Sequence, residues 1–345
     1  MGIKKSAIIT GITGQDGSYL ARLLLKKKIK VYGIVRRTSS DPMIRLEELN
    51  IKNHINFIYT DLSESFKIGS LIKKIKPNYF FNLGAQSFVT YSYDNPMYTD
   101  HINNFSVINI LEHIRLFSPR TRFYQASSSE MYGLNLQNVK KYNETSQFNP
   151  ISPYAISKLS SYYYVRMYRS AYKVFACNGI LFNHESPLRG EHFVTKKIIK
   201  SLVEIYSGEK KDSLKLGNIY SKRDWGHAEE YVNMMLKIIT YKIADDFVIS
   251  SGKQYTIKDF INLTCKRLGI KIKWRGKGLN EKAIGEKGRK IVEISKRLFR
   301  PQDVKYLLGD STKAKRKLKW KPKKNLNTLI DEMINFELGN FNANN

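Results

Sequence analysis

Short apolar runs that predict strands alternate with amphipathic helical patterns over the first half of the chain, and this alternation strongly narrows the possible folds. The predicted strands are Ser6–Thr10, Lys30–Arg36, Ile55–Asp61, Tyr79–Ala85, Arg122–Ser127 and Lys173–Leu181. Helical patterns lie between most of them, as at Ser65–Ile75 and Met97–Leu116. Strands that alternate with helices predict an α/β fold, a doubly wound parallel sheet with helices on both faces.

The pattern changes after about residue 184, where the spacing of strands and helices loosens. Helices are predicted at Val194–Tyr206, His227–Tyr241, Ile257–Leu268 and Leu326–Phe336. The sequence has no internal repeat and no linker rich in Pro, Gly or Ser. We therefore expect a first domain over 1–183, rejoined by residues of about 220–252, and a smaller mixed α/β domain that is mainly 184–345.

Size and composition are those of a folded protein with a large interior. The chain has 345 residues, of which 42% are hydrophobic, unlike a disordered or fibrous composition. Cys177 and Cys265 stand far apart and outside any metal-binding spacing, so neither a disulfide framework nor a zinc site is predicted. There is no signal-peptide pattern and no apolar run of ~20 residues. We expect a cytoplasmic protein with no membrane partner.

The net charge of +29 raises nucleic acid, anionic membranes and acidic small molecules as partners. Residues 251–345 hold 24 basic and 9 acidic side chains, so much of the excess lies at the carboxyl end. The basic residues there alternate with apolar ones; they are Lys313, Lys315, Arg316, Lys317, Lys319, Lys321, Lys323 and Lys324. Because no nucleic-acid-binding motif accompanies them, a solvated basic surface is favoured and no nucleic acid partner is expected.

A glycine-rich turn, GITGQDG at 11–17, directly follows the first strand and precedes a helix. Small residues in such a turn let the backbone approach a pyrophosphate at a helix N-terminus, where unpaired amides favour negative charge. The second strand ends in Arg36-Arg37. An acidic residue at this point binds an adenosine ribose hydroxyl, whereas a guanidinium suits a 2′-phosphate. The turn and the arginines predict a Rossmann-type domain that binds NADP rather than NAD.

A second motif places Tyr154 and Lys158 one helical turn apart, in the pattern YxxxK. Residues four apart share a helix face, so the ammonium can stabilise a phenolate and let the tyrosine act as a base. Ser152-Pro153 just before them is typical of a helix start. Upstream, a strand leads into Ser127-Ser128-Ser129-Glu130, which supplies a hydroxyl and a carboxylate.

Eight segments match the motifs of one enzyme family: GITGQDGSYL (11–20), GIVRRTSS (33–40), NLGAQS (82–87), RFYQASSSEMYG (122–133), SPYAISK (152–158), NGILFNHESPLRGEHFVTKKI (178–198), KRDWGHAEEYV (222–232) and GDSTKAKRKLKWKP (309–322). On these segments the chain resembles the extended short-chain dehydrogenase/reductases. Within them it is similar to the GDP-mannose 4,6-dehydratase family along nearly its whole length. The motif NHESP, with the arginine that follows it, is typical of a much smaller group of proteins than the motifs of the superfamily.

The resemblance implies conversion of GDP-mannose to GDP-4-keto-6-deoxy-mannose and water, a step of deoxyhexose or GDP-fucose biosynthesis. Tyr154, held as a phenolate-like base by Lys158, would take the proton of the sugar 4-hydroxyl while hydride passes from carbon 4 to NADP. Glu130 would then remove the carbon 5 proton, and Ser128 would assist loss of the 6-hydroxyl as water. Hydride returned to carbon 6 would close the cycle.

Two of these residues distinguish the chain. Simple reductases of the superfamily need only the tyrosine, the lysine and a hydroxyl, so Glu130 is the feature that a dehydratase adds for proton abstraction beside a carbonyl. Ser128 stands where the family more usually has threonine. The hydroxyl is kept, but serine lacks the methyl group that restricts the side-chain rotamer.

The resemblance also assigns binding residues. For NADP they are Gly11, Ile12, Thr13, Gly14, Gln15, Asp16, Arg36, Asp61, Leu62, Leu83, Gly84, Ala85, Gln86, Ser87, Tyr98, Lys158, His184 and Arg189. For the GDP-sugar they are Ser87, Glu130, Asn183, Val194, Lys197, Arg223 and Arg300. Arg289 competes with Arg300 for the late arginine, and either can instead belong to the basic surface. The first domain would thus bind NADP, the second would mainly bind the GDP-sugar, and no metal is implied.

The resemblance further implies self-association. Family members assemble as dimers or tetramers, and in tetramers the segment matching 36–40 reaches the cofactor site of a neighbouring subunit. Because this segment is intact, a homotetramer is favoured over a homodimer.

Three alternatives stay open. A 4,6-dehydratase of a related GDP-sugar, such as GDP-manno-heptose, would keep the same catalytic residues, and segments 88–92 and 100–104 depart from the family without indicating a sugar. A reductase of the 4-keto product would not need Glu130. A non-catalytic nucleotide- or nucleic-acid-binding protein on this fold is suggested by the charge, but the intact catalytic set argues against it.

Overall fold

The computed structural model describes residues 5–134, 139–299, 304 and 306–344. Its strands are β1 Ser6–Thr10, β2 Lys30–Val35, β3 Asn56–Tyr59, β4 Tyr79–Asn82, β5 Arg122–Ser128, β6 Ala176–Leu181, β7 Asn183–Glu185, β8 Leu214–Leu216, β9 Lys222–Arg223, β10 Trp225–His227, β11 Phe247–Ile249, β12 Tyr255–Thr256, β13 Lys273–Arg275, β14 Lys282–Ile284 and β15 Lys290–Ile294. Its helices are α1 Gln15–Lys26, α2 Ile44–Glu48, α3 Ser65–Ile75, α4 Val89–Asp94, α5 Pro96–Asp100, α6 Ser106–Phe117, α7 Pro153–Ala171, α8 Val194–Tyr206, α9 Ala228–Thr240, α10 Ile257–Arg267, α11 Thr312–Leu318 and α12 Leu326–Asn344.

Seven parallel strands form the main sheet, in the order β11-β6-β5-β4-β1-β2-β3. All residues of β4 and β6 are buried, as expected for strands covered on both faces. The order reverses direction between β1 and β4, so the loops after these two strands leave the sheet at its switch point. The predicted doubly wound, Rossmann-type sheet is confirmed.

Two groups of helices cover this sheet. Helix α6 packs against both α3 and α7. The three helices share a core with the strands, in which Ile72, Phe80, Ile110, Phe123 and Val165 are fully buried. A second group joins α1, α9 and α11, with α1 against β1 and β2 and α9 against β5 and β6. Burial of the apolar faces of these helices drives the packing.

The predicted helix Met97–Leu116 contains a local change of pitch. It consists of α5, a π-helical turn over His101–Phe105, and α6. The wide turn contains buried Asn103, whose side chain accepts from the Gln86 amide at 2.8 Å and donates to the Gln86 carbonyl at 3.0 Å. Single π turns of this kind are frequent at functional sites.

The chain divides into two compact units, each built from three segments. Unit 1 comprises the described residues of Met1–Phe182, Ala228–Ser250 and Gly309–Lys321, and contains the seven-stranded sheet. The last segment includes α11, where Lys313 pairs with Asp245 at 2.7 Å. Trp320, just beyond α11, donates from its indole to the Ser250 carbonyl at 2.9 Å. The exposed basic side chains there include Lys315, Arg316, Lys319 and Lys321.

Unit 2 comprises the described residues of Asn183–His227, Ser251–Leu308 and Pro322–Asn345. It contains a four-stranded mixed sheet, β13-β14-β15-β8, and the two-stranded pairs β10-β7 and β12-β9. Its core includes buried residues of α8, α10 and α12 such as Leu202, Phe260 and Ile330. None of the helices in the described part of the chain is long and apolar enough to cross a membrane.

Candidate active site

The glycine-rich turn connects β1 to α1 by close backbone contacts. Gly11 has a φ of +65°, and a Cβ there would lie 2.8 Å from the Gly84 amide nitrogen. A Cβ at Gly17 would lie 2.2 Å from the Gly11 carbonyl oxygen, so helix and turn also approach too closely for a side chain. Gly14 precedes the first residue of α1 and provides no side-chain cap. A glycine-rich turn that leads into a helix without a capping side chain is the type of backbone that binds phosphate groups.

Thr10, the last residue of β1, joins the two predicted cofactor loops. Its hydroxyl accepts hydrogen bonds from the Leu83 amide at 3.0 Å and the Gly84 amide at 2.8 Å. It donates to Asn82 Oδ1 at 2.7 Å, and the Asn82 amide donates to Gln125 Oε1 at 2.8 Å. These side chains of β1, β4 and β5 are buried. The chain of hydrogen bonds fixes the spacing of the loops at the switch point.

The end of β2 brings two predicted cofactor residues together. Arg36 donates from Nη1 to the Tyr98 hydroxyl at 3.0 Å, although they are 62 residues apart in sequence. Arg36 also lines a cavity of about 330 Å³. The other lining residues are Arg37, Thr38, Asp41, Pro42, Met43, Lys52 and Tyr59. The cavity thus carries both arginines that the sequence assigns to a 2′-phosphate.

The other predicted cofactor residues of unit 1 lie near the carboxyl ends of the strands. Asp61, shortly after β3, accepts from the Ser63 amide and hydroxyl at 2.9 and 2.8 Å. Gln86 is fixed by Asn103 and also donates from its side chain to Thr99 at 3.0 Å. The remaining predicted members are Ile12, Thr13, Gln15, Asp16, Leu62, Ala85 and Ser87, of which Ser87 is exposed.

Ser128 and Glu130 share one turn at the end of β5. Ser128 is the last residue of the strand, and Glu130 lies in the following 3₁₀ turn, Ser129–Tyr132. The Ser128 hydroxyl oxygen accepts a hydrogen bond of 3.2 Å from the Glu130 amide. This contact caps the turn and joins the Ser128 hydroxyl to the backbone of Glu130.

Tyr154 and Lys158 lie in the first two turns of α7. Pro153 occupies the first helical position, and the Ser152 hydroxyl accepts from the Ala155 amide at 3.1 Å, as predicted for a helix start. The Lys158 ammonium donates to the Ala126 carbonyl at 2.9 Å and lies 5.9 Å from the centroid of the Tyr154 ring. Helix α7 packs against β5 and the 3₁₀ turn, so all four predicted catalytic residues belong to one contiguous part of unit 1.

Burial changes the affinity of Lys158 for protons. Only 4% of the residue is exposed, and burial lowers its pKa from 10.5 to about 8. Desolvation disfavours the charged form, which a negative phenolate nearby would stabilise.

Unit 2 contains the predicted residues of the NHESP segment. Asn183 and His184 lie in β7, which pairs with β10, and His184 is buried. Arg189 lies 2.9 Å, measured from Nε, from Glu185 Oε2. Its guanidinium carbon lies 3.5 Å from the centroid of the Phe193 ring.

The predicted substrate residues of unit 2 are more scattered. Val194 is the first residue of α8, and Lys197 donates from Nζ to the Lys215 carbonyl at 2.9 Å. Burial, and then the charge of Lys210, lower the pKa of Lys197. Arg223 is buried in β9 and donates to the Val304 carbonyl at 2.6 Å.

The two candidates for the late arginine differ in what the structure describes. Arg300 lies outside the described residues. Arg289 donates to the backbone carbonyl of Lys210.

Comparison with known proteins gives a consistent result over the chain. The family model described as GDP-mannose 4,6 dehydratase matches residues 8–333. A relative from Vibrio cholerae, named GDP-mannose 4,6-dehydratase, is 44% identical over 96% of this chain and 93% of its own. A relative of that name from Homo sapiens is 42% identical over 96% and 91%.

The chain belongs to the GDP-mannose 4,6-dehydratase family. Solved structures of lower identity share its fold. A UDP-glucose 4-epimerase from Thermotoga maritima has a TM-score of 0.81 at 20% identity, covering 97% of this chain and 99% of its own. A dTDP-glucose 4,6-dehydratase from Bacillus anthracis has a TM-score of 0.79 at 17% identity, covering 98% of both chains.

In this member of the GDP-mannose 4,6-dehydratase family, several residues at the site were not predicted from sequence. Thr10 and Asn103 fix the loops, and Arg45 donates to the Thr13 carbonyl at 3.2 Å. Lys52 and Tyr59 line the cavity beside Arg36. A threonine ending the first strand is a weak signal for Thr10, and the others depend on contacts that sequence spacing does not indicate.

Proposed function

We propose that the protein is a GDP-mannose 4,6-dehydratase that forms GDP-4-keto-6-deoxy-mannose and water with NADP as an internal hydride carrier. One observation carries the catalytic part of this proposal. Glu130 shares a hydrogen-bonded turn with Ser128, and the helix that presents Tyr154 and Lys158 packs against that turn. A base for the sugar 4-hydroxyl and a second base for the proton on carbon 5 are therefore proposed in one site.

The residues of unit 1 fit a bound NADP. The uncapped N-terminus of α1 suits the pyrophosphate, and the Arg36-Arg37 cavity suits the 2′-phosphate. We assign the remaining contacts to the predicted loops after β3 and β4, to Tyr98, and to His184 and Arg189 of unit 2. A bound NADP would supply reversible hydride transfer between carbon 4 and carbon 6 of the sugar.

The chain's own residues supply the proton transfers. Tyr154 accepts the proton of the 4-hydroxyl, and the Lys158 ammonium stabilises the phenolate that accepts it. The carbonyl formed at carbon 4 acidifies the hydrogen at carbon 5, which Glu130 removes. The 6-hydroxyl then leaves as water with the proton that Glu130 removed from carbon 5, and Ser128 hydrogen-bonds the leaving oxygen. The proton that Tyr154 accepted balances the one that carbon 5 regains when hydride is added at carbon 6. We assign GDP binding to the Asn183 region, Val194, Lys197, Arg223 and Arg300.

The test is incubation of the purified protein with GDP-mannose and catalytic NADP, followed by mass spectrometry. The proposal expects a product lighter by one water, without accumulation of NADPH. Dehydration of a GDP-heptose but not of GDP-mannose would keep the mechanism and change the substrate. Absence of turnover with both, together with strongly salt-dependent retention on nucleic acid, would favour a binding protein instead.

Self-association and location complete the proposal. Residues 36–40 are exposed and border the Arg36-Arg37 cavity, which supports a homotetramer in which this segment reaches a neighbouring subunit. Size-exclusion chromatography with light scattering would contradict this if it gave a monomer. A cytoplasmic location is proposed because Cys177 and Cys265 are both free and buried.

A further inference from the structure

Glu185 is a buried carboxylate to which the predicted mechanism gives no role. Its side chain is 3% exposed. The Thr195 hydroxyl donates to Glu185 Oε2 at 2.6 Å, and the same oxygen lies 2.9 Å from Arg189 Nε. Thr195 itself is fully buried in α8. A buried ionised carboxylate requires such partners, so Glu185 and Arg189 hold each other in one geometry.

Arg189 is fixed on two sides and open on a third. Glu185 Oε2 forms an ion pair with Nε at 2.9 Å that is not aligned as a hydrogen bond, and Phe193 covers one face of the guanidinium at 3.5 Å. Among the described residues, neither terminal nitrogen of Arg189 has a hydrogen-bonded partner, and 18% of the side chain is exposed. The two terminal nitrogens are therefore a pair of donors without an acceptor in the described part of the chain.

A guanidinium held in this way suits a phosphate. Two parallel N–H donors match two oxygens of one phosphate group, and a donor pair that is already fixed loses less entropy on binding.

We propose that Glu185 is a positioning residue, which, with Thr195 and Phe193, holds Arg189 as a two-donor fork for a phosphate of the nucleotides that this protein binds. The inference rests on the proposed function for the identity of its ligands, a dinucleotide cofactor and a GDP-sugar. Both carry diphosphates, and the family resemblance of the sequence implies that Arg189 contacts the cofactor.

The test measures dissociation constants for NADPH and for GDP separately, by calorimetry. Glu185→Gln is expected to raise the Kd of one ligand about tenfold, because the fork loses its orientation while the side-chain shape is kept. Thr195→Val, which removes only the hydroxyl that supports Glu185, is expected to raise the same Kd by about threefold. In an Arg189→Lys background there is no fork to orient. Glu185→Gln is expected to change the same Kd by less than about twofold in that background.

Glu281→Gln is the matched control. Glu281 is also a buried carboxylate of unit 2, 2.6 Å from a cation, Lys258. The control is expected to lose thermal stability to a similar degree but to keep both dissociation constants. If Glu185→Gln does not fold, the Thr195→Val result decides.

Two outcomes would overturn the positioning role: a Kd for both ligands that Glu185→Gln leaves unchanged, or an equal rise with and without Arg189. Failure of the proposed function is read separately, from wild-type turnover of GDP-mannose, because a protein that does not dehydrate this sugar can still bind both nucleotides. Wild-type protein that binds neither NADPH nor GDP would also overturn the positioning role.

Discussion

The ammonium nitrogen of Lys158 lies 5.9 Å from the centre of the Tyr154 ring, in a site where almost none of the lysine is exposed. Burial lowers the pKa of Lys158 to about 8. The folded protein therefore bears a cost for keeping this group charged at neutral pH, and the benefit is expected in catalysis rather than in stability.

Lys158→Met should accordingly abolish turnover, by at least about 100-fold, without destabilising the protein at pH 7. The sign of the pH effect follows from the pKa values. From pH 8 to 10.5 the unfolded chain binds more protons at this position than the folded one, so wild-type stability relative to Lys158→Met should rise with pH, by up to about 3 kcal/mol. Urea unfolding of both proteins across this range would measure it. A flat difference would contradict the pKa shift.

Glu130→Gln should separate oxidation from dehydration. The variant keeps Tyr154 and Lys158, so oxidation at carbon 4 is expected to continue, while loss of water falls by about 10²–10⁴-fold because the carbon 5 base is missing. Mass spectrometry would measure the loss of one water from the sugar nucleotide, and NADPH absorbance would measure oxidation at carbon 4. If dehydration continued at the wild-type rate, another group would have to be the base.

Arg36→Met should reduce the preference for NADP. Removal of a guanidinium from the cavity is expected to raise the Kd of NADPH at least about tenfold and to leave that of NADH nearly unchanged. Arg120→Met is the charge-matched control, because Arg120 is exposed just before the amino end of β5. Fluorescence titration with both nucleotides would decide, and an equal loss for both would argue against a 2′-phosphate contact.

Gly11→Ala should destabilise the protein more than Gly252→Ala. Both glycines have positive φ, +65° and +76°, so alanine at either position costs about 1–2 kcal/mol of backbone strain. Only at Gly11 would the new Cβ meet backbone, 2.8 Å from the Gly84 amide, whereas Gly252 has nothing within 4 Å. An additional loss of about 1–3 kcal/mol is therefore expected at Gly11 from chemical denaturation. Equal losses of unfolding free energy would mean that the turn accommodates the added Cβ at Gly11 without further cost.

Local sequence patterns predicted the elements well where burial follows a simple period. The bounds of β1, α3 and α8 agree with the predicted runs, because each has one uninterrupted apolar pattern. The π turn inside Met97–Leu116 was not predicted, since it depends on Asn103 binding a loop 17 residues earlier. Periodicity within a helix carries no information about such a partner.

The motif residues of the candidate site could be predicted from the sequence, whereas most of the residues that hold its loops in place could not. Tyr154 and Lys158 belong to one helix, so their spacing suffices to place them together. The Thr10 hydroxyl accepts hydrogen bonds from two backbone amides that lie more than 70 residues later in the sequence. The Gly309–Lys321 segment was recognised as a motif, but its membership of unit 1 depends on contacts such as that of Trp320 with Ser250.

The chain passes between its two units five times, and this has a consequence for synthesis on the ribosome. The final segment of unit 1 begins at Gly309, and the final segment of unit 2 follows it at Pro322. Neither unit is complete until nearly the whole chain has emerged, so we expect no early, independently stable domain during translation. Nascent chains that stop before Gly309 should expose the sheet edge at β11 and depend on chaperones until the last helices arrive.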